Sequence, residues 1–308
     1  MVTLNCKCER LLIVGATGEL GYATLKAFSS SPFWKEQKVY ATYFHHPPTT
    51  DKHLPSAAVW SFLDFNDHES IRKLLSDVSP SSVICCSVPS HQGASSQSSI
   101  FLRQGIVENV VALAEASKMI GARFIAISTD QVFDGKLING RYKEDDPINP
   151  TNPYASYKAE MEEQLLNLGG DILICRTSLI LTLNPPGKAV RFILDAFEPE
   201  NNIALFTDEL RNMSFSEDLG SALCELAVPG HPARGLLHLC SDEPVSRYDL
   251  ALKLAPHFNK DPTKLKAASS ASSKQYRPLN LSLDNSKAKS LLKTEIRGVS
   301  KRLSSQLT

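Results

Sequence analysis

The chain has 308 residues, 42% of them hydrophobic and 21% charged, and its 33 Lys+Arg balance 33 Asp+Glu. That length suits one large α/β domain or a nucleotide-binding domain with a smaller lobe, and the charge balance leaves no basic footprint for a nucleic acid. The apolar run at residues 11–14 is far shorter than the ~20 residues that span a bilayer, so a cytoplasmic protein without membrane contact is expected.

Short apolar runs alternate with longer amphipathic stretches through the first 180 residues, which predicts a Rossmann-type, doubly wound parallel sheet with helices on both faces. Strands are expected at 10–14, 38–44, 58–63, 82–87, 123–128 and 171–176. Helices are expected at 19–29, 68–77, 100–119 and 154–168, the last opening after Asn152-Pro153, where proline suits a first helical turn. Beyond Arg176 the spacing loosens among Pro185, Pro186, Pro199, Pro229, Pro232 and Pro244. A smaller, less regular substrate lobe over 181–308 is expected there, with helices at 188–196, 216–227 and 247–257 and some segments returning to the dinucleotide-binding domain, 1–180. Ser-rich stretches at 90–99 and 267–273 read as loops. The seven cysteines lie mostly in apolar segments without a C-x-x-C, so buried thiols are expected; Cys6-Lys7-Cys8 is a weak metal candidate, and no metal site is expected elsewhere.

LLIVGATGELG places Gly15, Gly18 and Gly21 in the first strand-to-helix turn. Without a Cβ, glycine lets backbone N–H groups approach a pyrophosphate at a helix N-terminus, so the segment Gly15, Thr17, Gly18, Glu19, Leu20 and Gly21 is the candidate dinucleotide contact. An acidic residue is normally found at the end of the second strand, bonded to the adenosine ribose. Here that strand runs into His45 and His46, which removes a charge that would repel a 2′-phosphate and favours NADP(H) over NAD(H). Asp64, after the third strand, is placed to hold the adenine amino group, while Asn66 or Asp67 is the natural cap of the following helix.

In NPTNPYASYK, residues four apart share a helix face, so Tyr154 pairs with Lys158 and Tyr157 does not. An ammonium beside a phenol favours the phenolate, lowering a pKa of ~10 and tuning a proton donor for carbonyl reduction. The strand at 123–128 leads into Ser128-Thr129-Asp130, putting a hydroxyl at the sheet's C-terminal edge, where ligands of doubly wound folds bind.

GATGELG, STDQVFDG (128–135), YKEDDPINPTNPYASYK (142–158) and the arginine of ICRTS (Arg176) together resemble an extended short-chain dehydrogenase/reductase. The closer resemblance is to the dTDP-4-dehydrorhamnose reductase family and its offshoot, the β regulatory subunit of methionine adenosyltransferase. It continues through TDELRNMSFSEDLGSAL, GLLHLCSDEPVSRYDLALKLA and YRPLNLSLDNSKAKSLL, and so covers nearly the whole chain. The resemblance implies Thr129 as active-site hydroxyl, Tyr154 as proton donor and Lys158 as the residue that tunes it and reaches the cofactor. It implies substrate contacts from Thr129, Asp130, Arg211 and Arg277. Departures are visible: Gly105-Ile106 replaces the asparagine of a proton relay, with Asn109 too far along to stand in for it, and Gln131 replaces a tyrosine.

Two functions follow as expectations. One is an NAD(P)H-dependent reductase of a small-molecule carbonyl, such as a 4-keto sugar nucleotide. The other is a dinucleotide-binding regulatory subunit docked on a partner enzyme; a homodimer through the helices at 100–119 and 154–168 is compatible with either.

Overall fold

The computed structural model of the chain describes residues 9–45, 58–88, 96–137, 139–274 and 276–304. Cys6, Cys8, His46 and residues 90–95 of the first Ser-rich stretch lie outside them. In chain order the elements are β1 (Arg10–Val14), α1 (Glu19–Phe28), β2 (Lys38–Tyr43), β3 (Ala58–Phe62), α2 (His68–Val78), β4 (Ser82–Cys85), α3 (Ser96–Arg103), α4 (Asn109–Met119), β5 (Arg123–Thr129), α5 (Pro153–Leu168) and β6 (Ile172–Thr177). They continue as β7 (Ile180–Leu181), α6 (Lys188–Asp195), β8 (Ala204–Phe206), β9 (Ser214–Phe215), α7 (Ser216–Leu226), β10 (Gly235–His238), α8 (Arg247–Leu254), β11 (Lys266–Ala268), α9 (Ser286–Leu291) and α10 (Val299–Ser304).

The main sheet has seven strands in the order β10-β6-β5-β4-β1-β2-β3, with β3, β2, β1, β4 and β5 paired in parallel. This is the doubly wound arrangement expected from the alternation of apolar runs, with the order reversing on either side of β1. The helix expected at 100–119 is instead α3 and α4 joined by a π-helical turn, Gln104–Glu108. Gly105 stands inside that turn, and glycine's weak helix preference suits a break in the regular ladder. Four strands of two or three residues, β7, β8, β9 and β11, were not expected, because so short a run carries no readable period.

The chain forms two compact units. One comprises residues 1–127, 160–174 and 220–235, and the other 128–159, 175–219 and 236–308. In the first, Leu11, Leu12, Ile13, Val39, Val83 and Ile84 are fully buried, as strands covered on both faces require. Each such side chain contributes roughly 1.5–3 kcal/mol relative to exposure. Arg123 is buried among them without being orphaned. Its guanidinium donates to the carbonyls of Leu226 and Ala233, both at 2.7 Å, and of His231 at 3.1 Å, and pairs with Asp171 at 2.7 Å. Trp34 is fixed likewise, its indole N–H donating to the Cys224 carbonyl at 2.8 Å. Gly220 permits close approach of α7 to α1, since a Cβ there would lie 2.7 Å from the Ala23 backbone.

The second unit has its own apolar centre, built by Leu181, Val190, Ile193, Phe197, Phe215, Leu250 and Leu254 with their neighbours. A smaller cluster gathers around Phe133, whose ring stacks on Tyr142 at 4.1 Å and lies under the Arg176 guanidinium at 5.1 Å. Among the described residues no helix is long and apolar enough to cross a membrane.

Candidate functional site

The glycine turn of the first unit is shaped by constraints that only glycine meets. Gly15 has φ +78°, and a Cβ on it would lie 2.8 Å from the Ser87 backbone nitrogen; a Cβ on Gly21 would lie 2.3 Å from the Gly15 carbonyl oxygen. The turn is tied down by β2. The Gly15 N–H donates to Thr42 Oγ1 and the Ala16 N–H to the Thr42 carbonyl, each at 3.0 Å. Thr42 is a buried anchor that sequence reasoning missed, although a hydroxyl inside an apolar strand was a visible signal. Helix α1 starts at Glu19 after Gly18, and no side chain caps it. The positive end of the helix favours an anionic ligand. Thr17 and Gly18 are exposed and Glu19 half-buried, whereas the Leu20 side chain is buried, so Leu20 can serve a ligand only through its backbone. The residues present thus fit a dinucleotide's pyrophosphate: a turn whose own backbone leaves no room for a side chain at positions 15 and 21, leading into the positive end of a helix.

Just past β2, Phe44 and His45 are exposed, their rings in contact at 4.2 Å, and Phe44 stacks on Phe62 at 5.9 Å. Among the described residues that follow β2, none carries a carboxylate at that strand end. Asp64 is half-buried and accepts at Oδ1 from the Asn66 backbone N–H at 2.9 Å and from Asn66 Nδ2 at 3.2 Å. Capping of α2 falls to Asp67, whose carboxylate accepts from the N–H groups of Glu69 and Ser70. The cap therefore falls on one of the two residues expected for it.

In the second unit, Thr129, Asp130, Tyr154 and Arg211 come together. Thr129 Oγ1 donates to Asp130 Oδ1 at 3.3 Å and accepts from the Gln131 N–H at 3.2 Å. Asp130 is fully buried, and its Oδ2 takes the Ser178 hydroxyl at 2.6 Å and Arg211 Nε at 2.9 Å; Arg211 Nη2 holds the other oxygen. Ser178 was not anticipated, because nothing in the sequence links it to a residue 48 positions away.

Helix α5 is positioned by Asn152, whose side chain accepts from the Ala155 N–H at 2.9 Å while Pro153 forms the first turn. This capping fixes the helix that carries Tyr154, half-buried, and Lys158, 2% exposed. The Tyr154 phenol is pushed up to about 12, first by burial and then by the Asp130 carboxylate, with Arg211 opposing. The expectation of a lowered phenol is therefore corrected. Loss of solvation disfavours the phenolate more than the Arg211 cation favours it.

Arg277 belongs to a neighbouring set. It faces the buried carboxylate of Glu209 at 3.7 Å and lies over the Phe206 ring at 5.2 Å, while Arg247 bonds the other Glu209 oxygen at 2.8 Å. Burial depresses the Arg247 guanidinium, with Arg211 and Arg277 adding to that and Glu209 and Asp130 opposing. Three arginines thus share two carboxylates in this unit. Arg247 and Glu209 were missed for want of any local motif.

The chain is 28% identical over 302 residues to methionine adenosyltransferase 2 subunit beta of Rattus norvegicus, covering 94% of this chain and 84% of that protein. It is 26% identical over 250 residues to dTDP-4-dehydrorhamnose reductase of Aggregatibacter actinomycetemcomitans, covering 80% and 78%. Its fold matches the crystal structure of dTDP-4-dehydrorhamnose reductase from Bacillus anthracis in complex with NADP, with TM-score 0.76, 20% identity and 97% of each chain covered. A family profile described as the RmlD substrate binding domain matches residues 9–308, and the chain belongs to that family.

Proposed function

We propose that the chain is a nicotinamide-dinucleotide-dependent reductase of a carbonyl compound, with a 4-keto sugar nucleotide as substrate class. The observation that carries this reading is a half-buried phenol one helical turn before a buried lysine, in the same unit as the hydrogen-bonded Thr129–Asp130 pair. When bound, the dinucleotide supplies the hydride. Tyr154 donates its proton to the carbonyl oxygen as negative charge develops there, and a donor must carry its proton at working pH to do so. Thr129, whose one hydroxyl proton goes to Asp130 Oδ1 in the ligand-free protein, turns that donor to the carbonyl oxygen when substrate binds, and Lys158 offsets the charge left on the phenolate. The Gly15–Gly21 turn holds the pyrophosphate and Asp64 the adenine amino group. His45, without a carboxylate at the strand end, supports NADP(H) over NAD(H). Arg277, half-exposed in an arginine-rich set, supplies a contact for an anionic substrate group. Reduction is tested by following NADPH consumption with dTDP-4-dehydrorhamnose and a panel of simple ketones; no consumption with any of them counts against it.

A second reading is favoured by one observation. The match to methionine adenosyltransferase 2 subunit beta extends over 302 residues, against 250 for the reductase of Aggregatibacter actinomycetemcomitans. On that reading the chain binds a dinucleotide and modulates a partner enzyme. Its mark would be a change in the kinetics of a methionine adenosyltransferase catalytic subunit on mixing, without NADPH consumption.

A further inference from the structure

Asn109, at the start of α4, is 1% exposed and takes no part in the chemistry proposed above. Its amide is bonded at both ends. His68 Nε2 lies 3.1 Å from Asn109 Oδ1, and Asn109 Nδ2 donates to Asn66 Oδ1 at 3.0 Å. Asn66 passes the pattern on, its Nδ2 donating to Asp64 Oδ1 at 3.2 Å while its backbone N–H reaches the same oxygen at 2.9 Å. Every link runs in one direction: each amide oxygen accepts and each amide nitrogen donates. Successive bonds in such a chain polarise one another, and a flip of either amide would set two acceptors or two donors face to face.

The end of the chain is an aspartate with its two oxygens in different states. Oδ1 is taken by two donors, whereas Oδ2 makes no hydrogen bond among the described residues. We propose that Asn109, acting through Asn66, is a positioning residue that fixes Asp64 Oδ2 as the acceptor for the exocyclic amino group of the dinucleotide's adenine, and thereby sets a preference for adenine over a 6-oxo base. A 6-oxo base would present a carbonyl oxygen to a carboxylate oxygen, and that repulsion is the discriminating element. The inference rests on the dinucleotide reading and adds the residues that give that site its base specificity. Holding Asp64 in one rotamer before the ligand arrives removes an ordering cost from binding, which is how a residue that never touches the ligand affects affinity.

The test compares the dissociation constants of NADPH and its hypoxanthine analogue for the wild type and for Asp64→Ala, Asn66→Ala and Asn109→Ala. The wild type is expected to prefer NADPH by about tenfold, the value of one charge-assisted hydrogen bond, and Asp64→Ala to remove the preference. Asn66→Ala and Asn109→Ala are expected to reduce it below about threefold by weakening NADPH while the analogue is little changed. A general loss of structure would weaken both ligands together, so the ratio reports positioning. Asn66 is exposed, so its variants decide the matter if Asn109→Ala does not fold. Asn66→Asp, of nearly the same shape, is expected to behave like Asn66→Ala because it turns an acceptor toward Asp64. Retention of the full ratio by the Asn66 and Asn109 variants while Asp64→Ala loses it overturns the inference and leaves the cofactor reading intact. A ratio unchanged in Asp64→Ala overturns the inference at its base, and failure of the wild type to bind either dinucleotide overturns both.

Discussion

Arg211 holds Asp130 by both carboxylate oxygens, and the pair is buried: Asp130 is fully enclosed and the Arg211 side chain is 12% exposed. Residue 130 opens a turn at the end of β5 and residue 211 precedes β9, so the contact joins segments 81 residues apart. Burial is the largest influence on Arg211 and opposes its charge, but Asp130, with Glu209 and Tyr154 adding to it, holds the guanidinium above its ordinary value. Breaking such a pair from one side leaves a buried charge without a counter-ion. Arg211→Ala, which strands the fully buried carboxylate, should therefore destabilise the protein by about 3–5 kcal/mol, and Asp130→Asn by less, since Arg211 is the less buried partner and keeps the Glu209 carboxylate nearby. Denaturant unfolding of the two variants measures the difference. Equal, small effects would show that the pair is not the structural tie the geometry describes.

The same carboxylate acts on Tyr154. Burial and Asp130 both raise the phenol, so ionisation of Tyr154 in the ligand-free protein should appear near pH 12 in the phenolate absorbance, as the difference between wild type and Tyr154→Phe. Asp130→Asn removes one upward influence and should lower that midpoint, while Arg211→Ala removes the opposing cation and should raise it. The stability consequence has a definite sign. With the folded value raised above the ordinary 10.0, the unfolded phenol ionises first as pH climbs. Stability from this residue is full below pH 10 and is lost as pH rises toward 12. A midpoint below 10 would contradict the account.

The glycine turn gives a steric prediction. Gly21→Ala would set a methyl 2.3 Å from the Gly15 carbonyl oxygen, a contact with backbone that no side-chain rotation relieves. Its cost should reach or exceed the roughly 1–3 kcal/mol typical of overpacking, with dinucleotide affinity falling alongside. Thermal unfolding and NADPH titration check the two effects. A variant of wild-type stability and affinity would show the turn to be more pliable than its geometry.

The proposed preference for NADP(H) rests on the strand end at His45. NADPH should bind more tightly than NADH, and His45→Asp should reverse the order by placing a carboxylate where it accepts from a ribose hydroxyl and repels a 2′-phosphate; each shift should be about tenfold. Paired titrations of wild type and variant with both dinucleotides decide it. A wild type that prefers NADH would contradict the assignment.

What could be read from the sequence divides along physical lines. The strands β1, β4, β5 and β6 were legible because strands covered on both faces become near-continuous apolar runs, and 10–14 matches β1 residue for residue; β2 and β3, only partly buried, were legible from their place in the alternation of strand and helix. Gly15 and Gly21 were legible because backbone constraints are written locally. The cap of α5 could be read from Asn152-Pro153 for the same reason. Contacts joined only by tertiary structure were not legible. Ser178 on Asp130, Glu209 between Arg247 and Arg277, and Asn109 on Asn66 each bring together residues more than 25 positions apart with no period to announce them. The Tyr154 shift was misjudged for a related reason: the lysine four residues on is visible in the sequence, whereas burial and a carboxylate 24 positions upstream appear only in the fold.

The central claim is that Tyr154 delivers the proton in a carbonyl reduction, and the most direct measurement is NADPH consumption with dTDP-4-dehydrorhamnose by wild type and Tyr154→Phe, alongside NADPH binding to both. The account predicts turnover by the wild type, a loss of at least about 10²-fold in the variant and NADPH affinity within about threefold of wild type. Turnover by Tyr154→Phe at the wild-type rate, or none by the wild type with any carbonyl tested, would contradict it.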